Sequence, residues 1–155
     1  MHPGLSKEEE ALRAHAEEFA RTVIAPRAAE IDRTEEYPWD NVKALTDAKF
    51  MGMTIPKEHG GQGKAFLDIV LVTEEIAKRC TVSALIFVEA NMGGIAAIMR
   101  YGSEAQKKMA AELVLGGDKP ALCITEPQTG SDATHMTTRA DKRGNEYVLN
   151  GSKHW

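Results

Sequence analysis

Apolar positions recur at helical spacing through the first 115 or so residues and then give way to strand-like alternation. Ser6 and Glu9 form a capping-box pair that predicts a helix start, with Leu12, Ala16, Phe19 and Val23 following on one face. Glu8, Glu9 and Glu10 suit the positive end of that helix. Pro26 predicts a kink or an end, after which residues 28–31 can continue helically. Pro38 fits the first turn of a second helix, in which Trp39, Val42, Leu45 and Phe50 share a face until Gly52 stops it. Residues 57–63 are glycine-dense and read as a flexible interhelical turn, because no strand–turn–helix unit surrounds them as a nucleotide loop would need.

A third helix is expected over 66–79, with Phe66, Ile69, Val70, Thr73, Ile76 and Ala77 inward. Glu74, Glu75, Lys78 and Arg79 are expected on its solvated side. The stretch 82–99 is apolar nearly all round and predicts one helix buried in the centre of a bundle. Glu89 and Asn91 near its middle argue against a membrane span, and each needs either core partners or a ligand pocket. Ser103 and Gln106 repeat the capping box for a fifth helix, which ends at Gly116-Gly117.

The switch in periodicity places a boundary at 116–120. The expected organisation is an all-α N-terminal helical domain, 1–118, followed by the first strands of an antiparallel β-domain, 119–155. Residues 121–124, between Pro120 and Pro127, predict a short buried strand. Residues 136–141 and 147–149 predict two more, joined by a turn at 142–145. Asn150-Gly151 is a hairpin signal leading into a returning strand at 152–155. So few strands cannot close a barrel, so the sequence is expected to be part of a longer protein.

Composition narrows the picture. With 155 residues, 43% hydrophobic and 27% charged, the chain suits an ordinary globular protein. A net charge of −4 gives no electrostatic case for nucleic acid or an anionic membrane surface. The acidic N-terminal stretch lacks an apolar signal core or an Arg-rich transit pattern, so a cytoplasmic location is expected. Cys80 and Cys123 are expected as buried, reduced thiols. His2, His15, His59, His135 and His154 show no metal-ligand spacing and read as surface or turn residues. No nucleophile–base pair is visible, so the chemistry must come from a cofactor or from residues beyond this sequence.

The stretch ALCITEPQTGSD, residues 121–132, carries the best candidate chemistry. Gly130 leaves room for an incoming group, Ser131 offers a hydroxyl beside backbone N–H groups, and Thr125 offers a second hydroxyl. The run Thr125-Glu126-Pro127-Gln128-Thr129-Gly130-Ser131-Asp132, continued by Thr138 through Lys153 and Trp155, resembles the middle-domain signature of the acyl-CoA dehydrogenase family. The upstream helices fit that family's N-terminal domain, so the resemblance covers essentially the whole chain. It departs at Gln128-Thr129, where small residues are usual, and at Leu122, where an aromatic is frequent.

The resemblance implies FAD as cofactor and α,β-dehydrogenation of an acyl-CoA thioester, with hydride transfer to the flavin. By motif position it implies that Leu122, Ile124 and Thr125 meet the isoalloxazine, that Gly130 and Ser131 approach the pyrophosphate, and that Trp155 packs beside the ring. Ser131 would also help hold the CoA arm, and Leu85, Phe87 and Glu89 would line the acyl pocket. The family's catalytic base, a glutamate of its C-terminal domain, is not in this sequence, so no catalytic residue is named. An electron-transfer flavoprotein as acceptor and a homotetramer are further family expectations.

Residues 81–99 contain no Lys or Arg, which favours a neutral acyl group over an anionic tail. Against this, Tyr37-Pro38-Trp39-Asp40-Asn41-Val42 and Gly117-Asp118-Lys119-Pro120 resemble the desulfinase branch of the same superfamily, which eliminates sulfite from a sulfinoacyl-CoA. The missing cation ranks that branch second. A rival of another class is a non-catalytic helical interaction module.

Overall fold

The computed structural model describes residues 4–155, so His2 lies outside the described residues. The chain divides into two compact units, the first ending at Pro120 and the second running over Ala121–Trp155.

The first unit is helical: α1 (Lys7–Phe19), α2 (Ala25–Thr34), α3 (Trp39–Asp47), α4 (Phe66–Ala77), α5 (Thr81–Asn91), α6 (Gly94–Tyr101) and α7 (Glu104–Leu115). Both capping boxes form. Ser6 Oγ accepts the Glu9 N–H at 3.2 Å while Glu9 Oε2 accepts the Ser6 N–H at 2.6 Å. Ser103 and Gln106 repeat the arrangement at 3.3 and 2.8 Å.

Pro26 does not end the helical run. A π-helical segment, Ala20–Ile24, joins α1 to α2, and the Ala25 N–H reaches back to the Ala20 carbonyl. Proline has no N–H and crowds the carbonyl four residues back. The wider turn absorbs both problems just before Pro26, which then sits in the first turn of α2.

The core forms where α1, the π segment, α3, α4 and α5 meet. Ala16, Ile24, Leu45, Ile69, Ile76 and Phe87 are buried there. Phe50 is its aromatic centre, edge-on to Phe19 at 5.1 Å and to Phe87 at 6.2 Å between ring centroids. The second helix ends earlier than expected, at Asp47, and Trp39 points outward.

Two further expectations for this unit change. Helix α4 turns a different face inward: Leu71, Val72 and Glu75 are buried with Ile69 and Ile76, whereas Phe66 is 68% exposed. Glu75 is therefore not on a solvated side. Arg13 and Lys78 meet its carboxylate at 2.8 and 2.7 Å. The apolar stretch over 82–99 is two helices, α5 and α6, broken at Met92-Gly93, where Gly93 takes a φ of 59°. Asn91 holds the break. Its Oδ1 accepts the Met53 N–H at 2.6 Å, and its Nδ2 donates to the Phe50 and Phe87 carbonyls at 2.9 and 2.8 Å. Glu89 is exposed, so of the pair Glu89 and Asn91 only Asn91 is a buried core polar group.

The loop 57–63 is well bonded. Gly63 donates to the Ile55 carbonyl and Lys64 to the Met53 carbonyl, each at 2.9 Å.

In the second unit β1 (Arg139–Arg143) pairs antiparallel with β2 (Glu146–Asn150), Asp141 facing Val148. The turn falls at Gly144-Asn145, as 142–145 predicts, and Gly144 takes a φ of 63°. Asn150-Gly151 makes no hairpin, and 152–155 forms no strand. Residues 121–124 are irregular and exposed rather than a buried strand, and Cys123 is exposed with them, whereas Cys80 is buried. A strand needs a ladder partner for its N–H and C=O groups. The nearest substitute here is one bond, His154 N–H to the Thr125 carbonyl at 2.8 Å.

Candidate functional site

The loop after residue 124 is organised by a buried glutamate. Glu126 and Thr129 exchange backbone bonds of 3.0 and 3.1 Å across Pro127-Gln128, closing a tight turn. Inside it the Glu126 carboxylate accepts the Thr137 N–H at 2.7 Å, the Thr138 N–H at 2.9 Å, the Thr137 hydroxyl at 3.0 Å and the Gln128 amide at 2.7 Å. The Lys153 ammonium completes the set at 2.9 Å. Thr138 above all, then the Thr137 N–H and Lys153, hold this carboxyl far below the usual carboxylate range, against the upward push of burial.

Lys153 also donates to the Ile124 carbonyl at 2.8 Å. One ion pair thus ties together Ile124, the Thr-Glu-Pro turn, the entry to β1 and the chain after β2. A buried charge this well surrounded is a structural anchor with no proton to give at neutral pH.

The polar loop hangs from that anchor. Gly130 has open space where a side chain would stand, and Ser131 is exposed beside it. Thr129 carries the one buried side-chain polar atom without a hydrogen-bond partner among the described residues, its hydroxyl oxygen. Asp132 accepts from the Thr134 hydroxyl at 2.6 Å and pairs with His135, and in that order the two lower its pKa. Thr125 is half-buried, Ile124 and Leu122 are exposed, and Trp155 is almost fully exposed at 97%. Leu122, Ile124, Thr125, Gly130, Ser131 and Trp155 therefore belong to one small unit built around the Glu126–Lys153 pair. The sequence pattern does not reveal that pair. Its signal is a lone acidic residue between Thr125 and Pro127, with a lone lysine in the last five residues.

The residues matched to an acyl pocket all lie on α5 but on different sides of it. Leu85 and Glu89, four apart, are exposed. Phe87 is fully buried and stacks edge-on to Phe50. A cleft of about 350 Å³ lies elsewhere in the helical unit, lined by Arg27, Ile31, Thr34, Tyr37, Trp39 and Asn41 among others. Its floor is fixed by Asn41, which accepts from Arg27 at 3.1 Å and donates to Ser83 at 2.9 Å. No group of metal-ligating side chains occurs among the described residues.

Comparison with known proteins gives a consistent result. The acyl-CoA dehydrogenase N-terminal domain matches residues 6–118, and the acyl-CoA dehydrogenase middle domain matches 121–155. The chain is 59% identical over 144 residues to a 3-sulfinopropanoyl-CoA desulfinase of Variovorax paradoxus, covering 93% of this chain and 36% of that protein. It is 40% identical over 156 residues to an acryloyl-CoA reductase (NADH) of Anaerotignum propionicum, covering 99% of this chain and 39% of that protein. A glutaryl-CoA dehydrogenase of Mycobacterium smegmatis, solved in complex with FADH2, superposes with a TM-score of 0.86 at 26% identity, covering 97% of this chain and 39% of that one. The chain thus spans well under half the length of each.

Proposed function

The chain belongs to the acyl-CoA dehydrogenase family, and from that premise we propose that it supplies the helical domain and the opening of the β-domain of an FAD-dependent enzyme acting on an acyl-CoA thioester. The loop fits such a cofactor. Open space at Gly130, the exposed Ser131 and the unpartnered Thr129 hydroxyl leave donors and room for a polar group. Ser131 and the backbone at Gly130 would hold the pyrophosphate, and Thr125 the polar edge of the ring. FAD, when bound, supplies the hydride-accepting chemistry. The chain's part is to bind and orient, and the Glu126–Lys153 pair keeps the loop in register for it.

Of desulfination and dehydrogenation, the two reactions expected from the sequence, desulfination of a sulfinoacyl-CoA is the better supported. The observation that carries it is the gap between 59% identity to the desulfinase and 40% to the reductase over nearly the same stretch. This reverses the ranking that the missing cation suggests. Residues 81–99 still contain no Lys or Arg, so in this reading a sulfinate's counter-charge comes from outside that segment. The reaction exchanges the carbon–sulfur bond for a carbon–hydrogen bond. Water supplies the proton on carbon and the third oxygen of the departing hydrogen sulfite, so no net electrons leave. The second reading, dehydrogenation of a neutral acyl-CoA with electrons passed to an electron-transfer flavoprotein, is favoured by that same absence of cations.

The test uses protein expressed from the full reading frame. Anaerobic addition of 3-sulfinopropanoyl-CoA should release sulfite while the flavin band stays unbleached. Bleaching by a saturated acyl-CoA without sulfite release would move the assignment to dehydrogenation. A folded protein with no flavin would sink both and leave the interaction module.

A further inference from the structure

The two stretches that resemble the desulfinase branch lie 75 or more residues apart, yet the fold brings them together. The Lys119 ammonium sits 4.1 Å from the centroid of the Tyr37 ring and 4.6 Å from that of Trp39. The two rings lean on each other at 4.8 Å with 56° between their planes. Both are exposed, Tyr37 at 41% and Trp39 at 62%, so nothing in the core requires aromatic residues there. A cation held between two aromatic faces is a specific interaction that a Lys–carboxylate surface pair is not.

The approach to Lys119 is equally determined. Helix α7 ends in a Schellman closure: Gly117 N–H reaches the Val114 carbonyl at 3.1 Å and Asp118 N–H the Leu113 carbonyl at 2.9 Å. Gly117 takes a φ of 95°, and a Cβ there would stand 2.8 Å from Thr46 Oγ1 of α3, so only glycine passes so close. Asp118 Oδ1 then accepts the Lys119 N–H at 2.8 Å, and Pro120 stiffens the next step. The aromatic end is no less fixed, because Asn41, two residues after Trp39, is buried and bonded to Arg27 and Ser83.

We propose that Lys119 is a positioning residue: its clasp between Tyr37 and Trp39 fixes the point at which the chain leaves the helical unit, two residues before the flavin-facing segment begins at Ala121. This rests on the flavin reading above. The cation and the two rings act as one device, so loss of either part should have the same consequence, and the charge rather than the lysine itself should matter.

The experiment uses the full-length holoenzyme with Lys119→Gln, Lys119→Arg and Trp39→Ala. Hydrogen exchange at the Gly117, Asp118 and Lys119 amides reads the clasp directly, and the flavin dissociation constant reads its consequence. Lys119→Gln and Trp39→Ala should each speed exchange and weaken flavin binding by about fivefold, the size expected of an exposed cation–π pair. The combined K119Q/W39A variant should be no worse than either alone, and Lys119→Arg should restore both readings. Wild-type protection in Lys119→Gln overturns the clasp. Faster exchange with unchanged flavin affinity overturns its positioning role, as does a Lys119→Arg variant as impaired as Lys119→Gln. Wild-type protein without flavin overturns the positioning claim together with the proposed function, and the exchange data then still decide whether the clasp exists.

Discussion

Glu126 and Asn91 do related work in the two units: each is a buried polar side chain that joins backbone segments lacking ladder partners. Glu126→Gln keeps the shape but removes the charge that Lys153 and the Thr137 and Thr138 donors face. It should lower the thermal midpoint of the second unit, read from its amide signals, and loosen flavin binding. Asn91→Leu leaves the Met53 N–H and the Phe50 carbonyl without partners and removes the side-chain bond to the Phe87 carbonyl. It should cost about 2–3 kcal/mol in urea unfolding, the usual penalty for orphaned buried groups. The role of Glu126 is not legible in the sequence, whereas Asn91 stands out as a polar residue in an apolar run without revealing which groups it meets. Apart from Gln128, the side-chain partners of Glu126 lie 11 to 27 residues away, and hydropathy reads a buried glutamate as a surface one. Thr125, Gly130 and Ser131, by contrast, stand out by residue type alone, as small and hydroxyl-bearing residues in one polar stretch.

At the scale of elements, what is local is legible. Both capping boxes form, since the Ser-to-Glu and Ser-to-Gln bonds span three residues and depend on nothing else. Ser103→Ala should therefore destabilise α7 by about 1 kcal/mol, measurable as a shift in the denaturation midpoint at unchanged slope. The hairpin turn at Gly144-Asn145 falls inside the predicted 142–145 for the same reason. Elements that depend on distant partners read less well. Residues 121–124 have strand composition but no ladder to join. The apolar run over 82–99 hides its break, because the signal for the break is a side chain bonding to residues 50 and 53. The inward face of α4 is rotated from its apolar stripe because Arg13 and Lys78 make a buried Glu75 tolerable.

For the whole molecule, acid is the informative variable. Burial pushes the Glu75 carboxyl up, and Lys78 and Arg13 more than offset it, so its pKa lies below the ordinary value. Glu9, Glu104, Glu126 and Asp132 are lowered as well. A carboxylate with a depressed folded pKa contributes stability that is complete above its unfolded value, near 4 for Asp and Glu, and is lost as pH falls through the folded one. The unfolding midpoint should thus be insensitive to these groups from pH 8 to about 5 and fall steadily below about 4. A rise in stability on acidification would contradict the pairing described here. The two-part division of the chain is legible because a change of periodicity is a property of many residues together. The π segment at Ala20–Ile24 has a consequence of the same reach. Ala16, Ala20, Ile24 and Ala28 are spaced by four, and an α-helix closes a turn in about 3.6 residues, so each such step overshoots by roughly 40°. Over three steps the row would wind a third of the way round the rod. The slack turn takes up that excess, as a leap day corrects a calendar, and lets Ala28 and Ile31 of α2 come back to the core that Ala16 entered.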